Sequence, residues 1–123
     1  KNKKTISQAQ QKQKDGKIVL TGIGTSTGVV TAPACVLNSP ADFESFQPGS
    51  VLVAVTTTPA WTPLFSSASA IVTDIGGPLS HSSIVAREYG IPAVMATHIA
   101  TRAIKSGQMI TVDGLAGTVT FDE

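Results

Sequence analysis

The chain has 123 residues, 41% of them hydrophobic and 14% charged, and a formal charge of +1, which fits one small domain, leaves no room for two sizeable cores and excludes a large multi-site enzyme. Aromatic residues make up only 5%, so the apolar content is mostly Val, Ile, Ala and Leu, which favours strands and close-packed α/β layers over a disordered or collagen-like chain. The small net charge is a cancellation: residues 1–17 carry six lysines against Asp15, whereas residues 18–123 carry Arg87, Arg102 and Lys105 against seven acids. An acidic globular part argues against a duplex-binding surface, because phosphate neutralisation needs clustered Lys or Arg, and leaves only the basic tail, which lacks aromatics, as a candidate.

Residues 1–15 are rich in Lys and Gln and nearly free of large apolar side chains, too little to offset the entropy of ordering. The expected organisation is therefore a flexible, polar, basic linker over residues 1–16 and a folded domain over residues 17–123. The single cysteine, Cys35, can form no intramolecular disulfide. No start resembles a secretory leader, and no apolar run approaches the roughly 18 residues of a membrane helix. A cytoplasmic protein without membrane or nucleic-acid partners is the expectation.

From Lys17 onward, short apolar runs alternate with Gly, Pro, Ser and Thr. Strands are predicted at Ile18–Thr21, Val29–Leu37, Val51–Val55, Ala70–Thr73, Ala93–Ala96, Met109–Val112 and Thr118–Phe121. Turns are expected at Asn38–Pro40 and Gln47–Gly49, and a short helix after Pro59, with Trp61, Leu64 and Phe65 on one side. The clearest helix is Ser80–Tyr89. Ser80 is expected to cap its first N–H groups, Ile84, Val85 and Tyr89 to face inward, and Gly90 to end it, with Pro92 beyond. Before it stands the turn Asp74-Ile75-Gly76-Gly77-Pro78, so the local unit is strand, glycine turn, helix.

His81 falls at the first position of that helix, where free N–H groups and the helix dipole favour anions and disfavour an imidazolium. A neutral ring nitrogen can accept a phosphoryl group. The hydroxyls of Ser80, Ser82 and Ser83 are candidate donors to phosphoryl oxygens, and Gly76 and Gly77 let the backbone approach closely. A histidine near a helix start is also a common capping or packing residue, so the pattern alone leaves both roles open. Asp74 could orient His81 or cap the turn, and Arg87 could orient phosphate or dock a partner domain. Cys35 reads as a buried small hydrophobe, Trp61 as core or interface, and His98, without acidic or Cys neighbours at ligand spacing, as a surface or packing residue. Gly22, Gly24 and Gly28 have the wrong spacing for a dinucleotide loop.

The stretch Thr73–Val94, with Gly76-Gly77-Pro78-Leu79-Ser80-His81-Ser82-Ser83 and Ala86-Arg87-Glu88-Tyr89-Gly90-Ile91-Pro92-Ala93-Val94, resembles the phosphohistidine signature of the phosphoenolpyruvate-utilising enzymes. That family includes pyruvate,phosphate dikinase, phosphoenolpyruvate synthase, enzyme I of the sugar phosphotransferase system and rifampin phosphotransferase. Thr21–Gly28 is similar to the family's opening glycine loop and Gly107–Val119 to its closing hairpin. The resemblance implies an α/β swivelling phosphohistidine domain, a three-layer β/β/α sandwich with mixed sheets. His81 would be the nucleophile that is transiently phosphorylated and carries the group between a nucleotide or phosphoenolpyruvate site and an acceptor site. It further implies that this domain binds no metal or cofactor itself. Mg²⁺ and ATP or phosphoenolpyruvate would sit on partner domains, an ATP-grasp domain and a pyruvate- or other acceptor-binding domain, in cis or in trans. Leu79 departs from the Thr that many members carry before Ser-His, which removes control by phosphorylation of that Thr. A competing expectation is a non-catalytic interaction or regulatory module that keeps the fold.

Overall fold

The computed structural model describes residues 11–14 and 16–122. Nine strands are arranged in the order β1-β2-β9-β8-β4-β5-β6-β7-β3. They are β1 (Gln11–Lys14), β2 (Lys17–Thr21), β3 (Ile23–Ser26), β4 (Val29–Val36), β5 (Val51–Ala54), β6 (Ala70–Thr73), β7 (Ala93–Met95), β8 (Met109–Asp113) and β9 (Thr118–Asp122). Three helices, α1 (Thr62–Phe65), α2 (His81–Tyr89) and α3 (Ala100–Ala103), and two 3₁₀ segments at Pro40–Ser45 and Pro59–Trp61 fill the connections.

β4 belongs to two sheets. Its first part, Val29–Pro33, pairs antiparallel with β8, and its last part, Ala34–Val36, pairs parallel with β5. One sheet is thus the antiparallel β1-β2-β9-β8-β4, and the other runs β4-β5-β6-β7 in parallel and ends on antiparallel β3. The sequence carries this difference. β8 and β9 alternate buried and less buried residues, as expected of strands with one covered face. β5, β6 and β7 are buried at every position, as expected of parallel strands covered on both sides.

The buried side chains form two clusters, one on each face of the parallel sheet. Leu20, Val51, Val53, Val72, Val94, Ile110 and Val112 pack between the sheets, while Leu52, Ala54, Ile71, Met95 and the helix residues Trp61, Phe65, Val85 and Ala86 pack on the other side. The period of two along β5 sends Val51 and Val53 one way and Leu52 and Ala54 the other. The expected β/β/α three-layer sandwich is therefore present, and the expectation that only one sizeable core fits is corrected: a central sheet buried on both faces divides the apolar residues in two.

The structure differs from the predicted linker at Gln11–Lys14, which pair with Lys17–Leu20 as β1. In the sequence Asp15-Gly16 is a strong hairpin signal, and Gly16, at φ +77°, lies directly before β2. Residues 1–10 of that linker and Asp15 lie outside the described residues. β3 also lies within what the sequence suggested was a glycine loop. Here backbones touch: a Cβ on Gly24 would collide with the carbonyl of Gly114, and one on Gly114 with the carbonyl of Ser26. Gly22 N–H donates to Gly117 O and Gly114 N–H to Gly28 O, both at 2.8 Å. The opening and closing glycine segments are two halves of one contact.

Candidate functional site

β6 ends at Thr73, and its continuation Asp74–Pro78 turns into α2, which returns to β7. Gly76 has φ +135°, a backbone conformation that a side chain would strain. α2 begins at His81 with Ser80 as N-cap and ends at Gly90, whose N–H returns to the carbonyls of Ala86 and Arg87. No side chain caps the helix start. The expected Ser80 cap is absent because its hydroxyl donates backwards to Gly77 O at 2.8 Å. The first N–H groups of α2 are therefore left without a side-chain cap.

The imidazole of His81 is part-buried. Its Nδ1 lies 2.8 Å from Thr57 Oγ1, its Nε2 lies 3.3 Å from Thr62 Oγ1, and its ring stands edge-on to Phe65 at 5.8 Å between centroids. Thr57 also contacts the Ser82 hydroxyl at 2.5 Å. Burial pushes the His81 pKa below its ordinary value of 6.5, because a low-dielectric wall disfavours the charged ring. Both ring nitrogens meet neutral hydroxyls.

The predicted site residues separate into groups. Gly76, Gly77 and Ser80 belong to the turn that leads into His81, with the Ser80 N–H and hydroxyl both on Gly77 O. Ser82 and Ser83 are 1% and 0% exposed, so neither hydroxyl is placed to meet an incoming phosphoryl group. Ser82 Oγ is held on Thr57, and Ser83 Oγ on Gly77 O at 2.7 Å and Thr25 Oγ1 at 2.9 Å. Asp74 does not reach His81: its carboxylate accepts from the N–H and hydroxyl of Thr101, at 3.0 and 2.6 Å, and so fixes α3. The Arg87 guanidinium donates to Thr25 O at 3.0 Å and to Pro78 O at 2.8 Å, stapling β3 to the glycine turn.

Thr57, Thr62 and Phe65 were not singled out for the site. The signal was available, since Thr57 follows β5 at its carboxyl end beside the end of β6, and open parallel sheets collect functional groups along that edge. The segments that carry the site also expose apolar side chains: Val55 just after β5, Ile75 just after β6, Leu79 in the turn and Ile84 one helical turn beyond His81. Leu79 is 84% exposed. A separate cleft of about 620 Å³, lined by Cys35, Leu37, Asp42, Gln47, Ser50 and Ser106 among others, lies at the opposite end of β5. Among the described residues no three His, Cys, Asp or Glu side chains are grouped to hold a metal ion.

Residues 46–117 match the family described as PEP-utilising enzyme, mobile domain. The chain belongs to this family. The mobile domain is 52% identical over 99 residues to the "Uncharacterized phosphotransferase YvkC" of Bacillus subtilis (strain 168), covering 80% of this chain and 12% of that protein. It is 40% identical over 119 residues to the "Probable phosphoenolpyruvate synthase" of Archaeoglobus fulgidus, covering 97% of this chain and 16% of that protein. The solution structure of Enzyme I is similar over 60% of this chain and 31% of that one, with 36% identity and a TM-score of 0.54. The mobile domain thus corresponds to a small part of larger transferases, which carry further domains in the same polypeptide. Among the described residues no helix is long and apolar enough to cross a membrane.

Proposed function

We propose that this mobile domain is a phosphoryl carrier in which His81 is transiently phosphorylated. The observation that carries the reading is the His81 ring itself: it stands part-exposed at an uncapped helix start, has no ionic partner among the described residues and has a lowered pKa. A neutral ring has a lone pair to give. That lone pair forms the N–P bond as the P–O bond to the donor's leaving oxygen breaks, the electron pair staying with that oxygen. A second displacement by the acceptor reverses the sequence, so one difficult transfer becomes two easier ones.

The groups on this domain position rather than activate. The glycine turn and the open N–H groups of α2 favour the dianionic phosphoryl group, and Arg87 holds the turn against β3. Hydroxyls and aliphatic side chains around His81 are not a donor set that suits Mg²⁺, which prefers carboxylates and water. In this reading Mg²⁺ and ATP or phosphoenolpyruvate are held by partner domains, an ATP-grasp or phosphoenolpyruvate-binding domain and an acceptor domain. The apolar rim of Val55, Ile75, Leu79 and Ile84 is the surface those domains would cover, excluding water from the phosphohistidine. A buried free thiol at Cys35 fits a reducing, cytoplasmic setting.

The test combines the chain with its donor domain and a radiolabelled donor. The expected product is an acid-labile, base-stable label on the chain, absent from His81→Ala. Label that persists in His81→Ala refutes the assignment. The chain alone with ATP is expected to turn over nothing.

A further inference from the structure

We propose that the unphosphorylated protein keeps the neutral His81 proton on Nε2, and that the buried Thr57–Ser82 hydroxyl pair fixes it there. The proposal deepens the carrier reading and depends on it only for its consequence. The argument is a count of donors and acceptors. Ser82 is 1% exposed, and the only hydrogen-bond partner of its hydroxyl among the described residues is Thr57 Oγ1 at 2.5 Å. Thr57, also buried, has two partners, Ser82 Oγ and His81 Nδ1. If Ser82 donates to Thr57, the Thr57 hydrogen points to Nδ1, which must then be the acceptor. Nε2 carries the ring hydrogen and presents it to Thr62 Oγ1 at 3.3 Å. The hydrogens of the buried pair and of the ring then each have a partner, and the Thr62 hydroxyl is only part-buried.

The reverse chain fails at its end. Were Nδ1 protonated, it would donate to Thr57, Thr57 would donate to Ser82, and the Ser82 hydrogen would have no acceptor in a place sealed from water, which native interiors avoid. An imidazolium forces the same reversed order. Thr57 is thus a positioning residue that acts through the ring, and Ser82 sets the direction in which Thr57 donates.

The consequence concerns reactivity. In the favoured tautomer the Nδ1 lone pair is occupied by Thr57 and Nε2 bears hydrogen, so the resting ring has no free lone pair toward solvent. The form with an Nε2 lone pair, which faces the Thr62 hydroxyl, exists only with the Thr57–Ser82 chain reversed. Attack through Nε2 therefore requires the Thr57–Ser82 pair beneath the ring to reverse.

Heteronuclear NMR of the ring nitrogens, recorded on the isotope-labelled chain well above the ring's pKa and with no phosphoryl donor present, reads this directly. The expected spectrum has protonated Nε2 and unprotonated Nδ1. Thr57→Val should raise the Nδ1–H form about tenfold, the factor that the loss of one hydrogen bond corresponds to, and Thr57→Ser should restore the original pattern. A wild-type ring protonated on Nδ1, or a Thr57→Val spectrum with the wild-type pattern, would overturn the proposal. If Thr57→Val does not fold, the wild-type spectrum and Thr57→Ser still decide. Failed labelling of His81 would leave this result standing, and a wrong tautomer would leave the labelling test untouched.

Discussion

At the residue scale the decisive feature is an imidazole whose neighbours are neutral and partly shield it from water. Because burial lowers its pKa, native His81 binds a proton less readily than the same residue in the unfolded chain. The unfolded state therefore takes up more protons as the pH falls below 6.5, and the His81 contribution to stability is lost through that window and complete above it. His81→Gln should flatten that part of the stability curve between about pH 7 and pH 5, measured by denaturant titration. An unchanged slope would show that burial does not disfavour the charged ring. NMR titration of the His81 ring should give a midpoint below 6.5. The place of His81 at a helix start was legible from the Gly76-Gly77 turn before it. The partners of Ser82 and Ser83 were not, because a run of serines in sequence does not reveal which hydroxyls a helix turns inward.

At the scale of elements, the site depends on α2 meeting the sheet through small residues. Its inner face is Ser82, Ser83, Val85 and Ala86, whereas Ile84 and Tyr89, expected inside, are exposed. The hydroxyl groups, satisfied by Thr57, Thr25 and Gly77, let the helix sit where a purely apolar stripe was expected. The strands were readable almost residue for residue: β6 occupies the predicted Ala70–Thr73, and β5, β7, β8 and β9 differ from prediction by a residue at one end. β3 and α3 were missed because their order comes from distant contacts, the Gly24–Gly114 approach and the Asp74–Thr101 hydrogen bonds. Gly24→Ala should accordingly cost at least about 1–3 kcal/mol, as overpacking does, read by chemical denaturation. A variant of wild-type stability would mean that the β3 backbone can move away freely. Arg87→Ala should release the glycine turn without unfolding the sheets, seen as faster amide exchange around Gly76–Leu79. Unaltered exchange there would show the staple to be dispensable.

At the scale of the whole molecule, β4 joins an antiparallel sheet to a parallel one, and His81 and the exposed apolar residues Val55, Ile75, Leu79 and Ile84 all lie on segments that follow the carboxyl ends of parallel strands. The cleft at the other end of β5 holds none of these groups. Such an arrangement suits a domain that delivers a residue into sites built elsewhere. Leu79→Glu should slow phosphorylation by the donor domain by about an order of magnitude or more, since a charge placed in a desolvated contact is costly, while leaving chemical phosphorylation of His81 by phosphoramidate unchanged. Equal rates with the donor domain would remove Leu79 from the docking surface. The carrier role itself is tested most directly by a chase: the chain is charged with labelled phosphoryl group, freed of donor and mixed with its acceptor domain and acceptor. The account predicts that label leaves His81 and appears, mole for mole, on the acceptor. Label that stays on the chain, or is released as inorganic phosphate without reaching the acceptor, would contradict it.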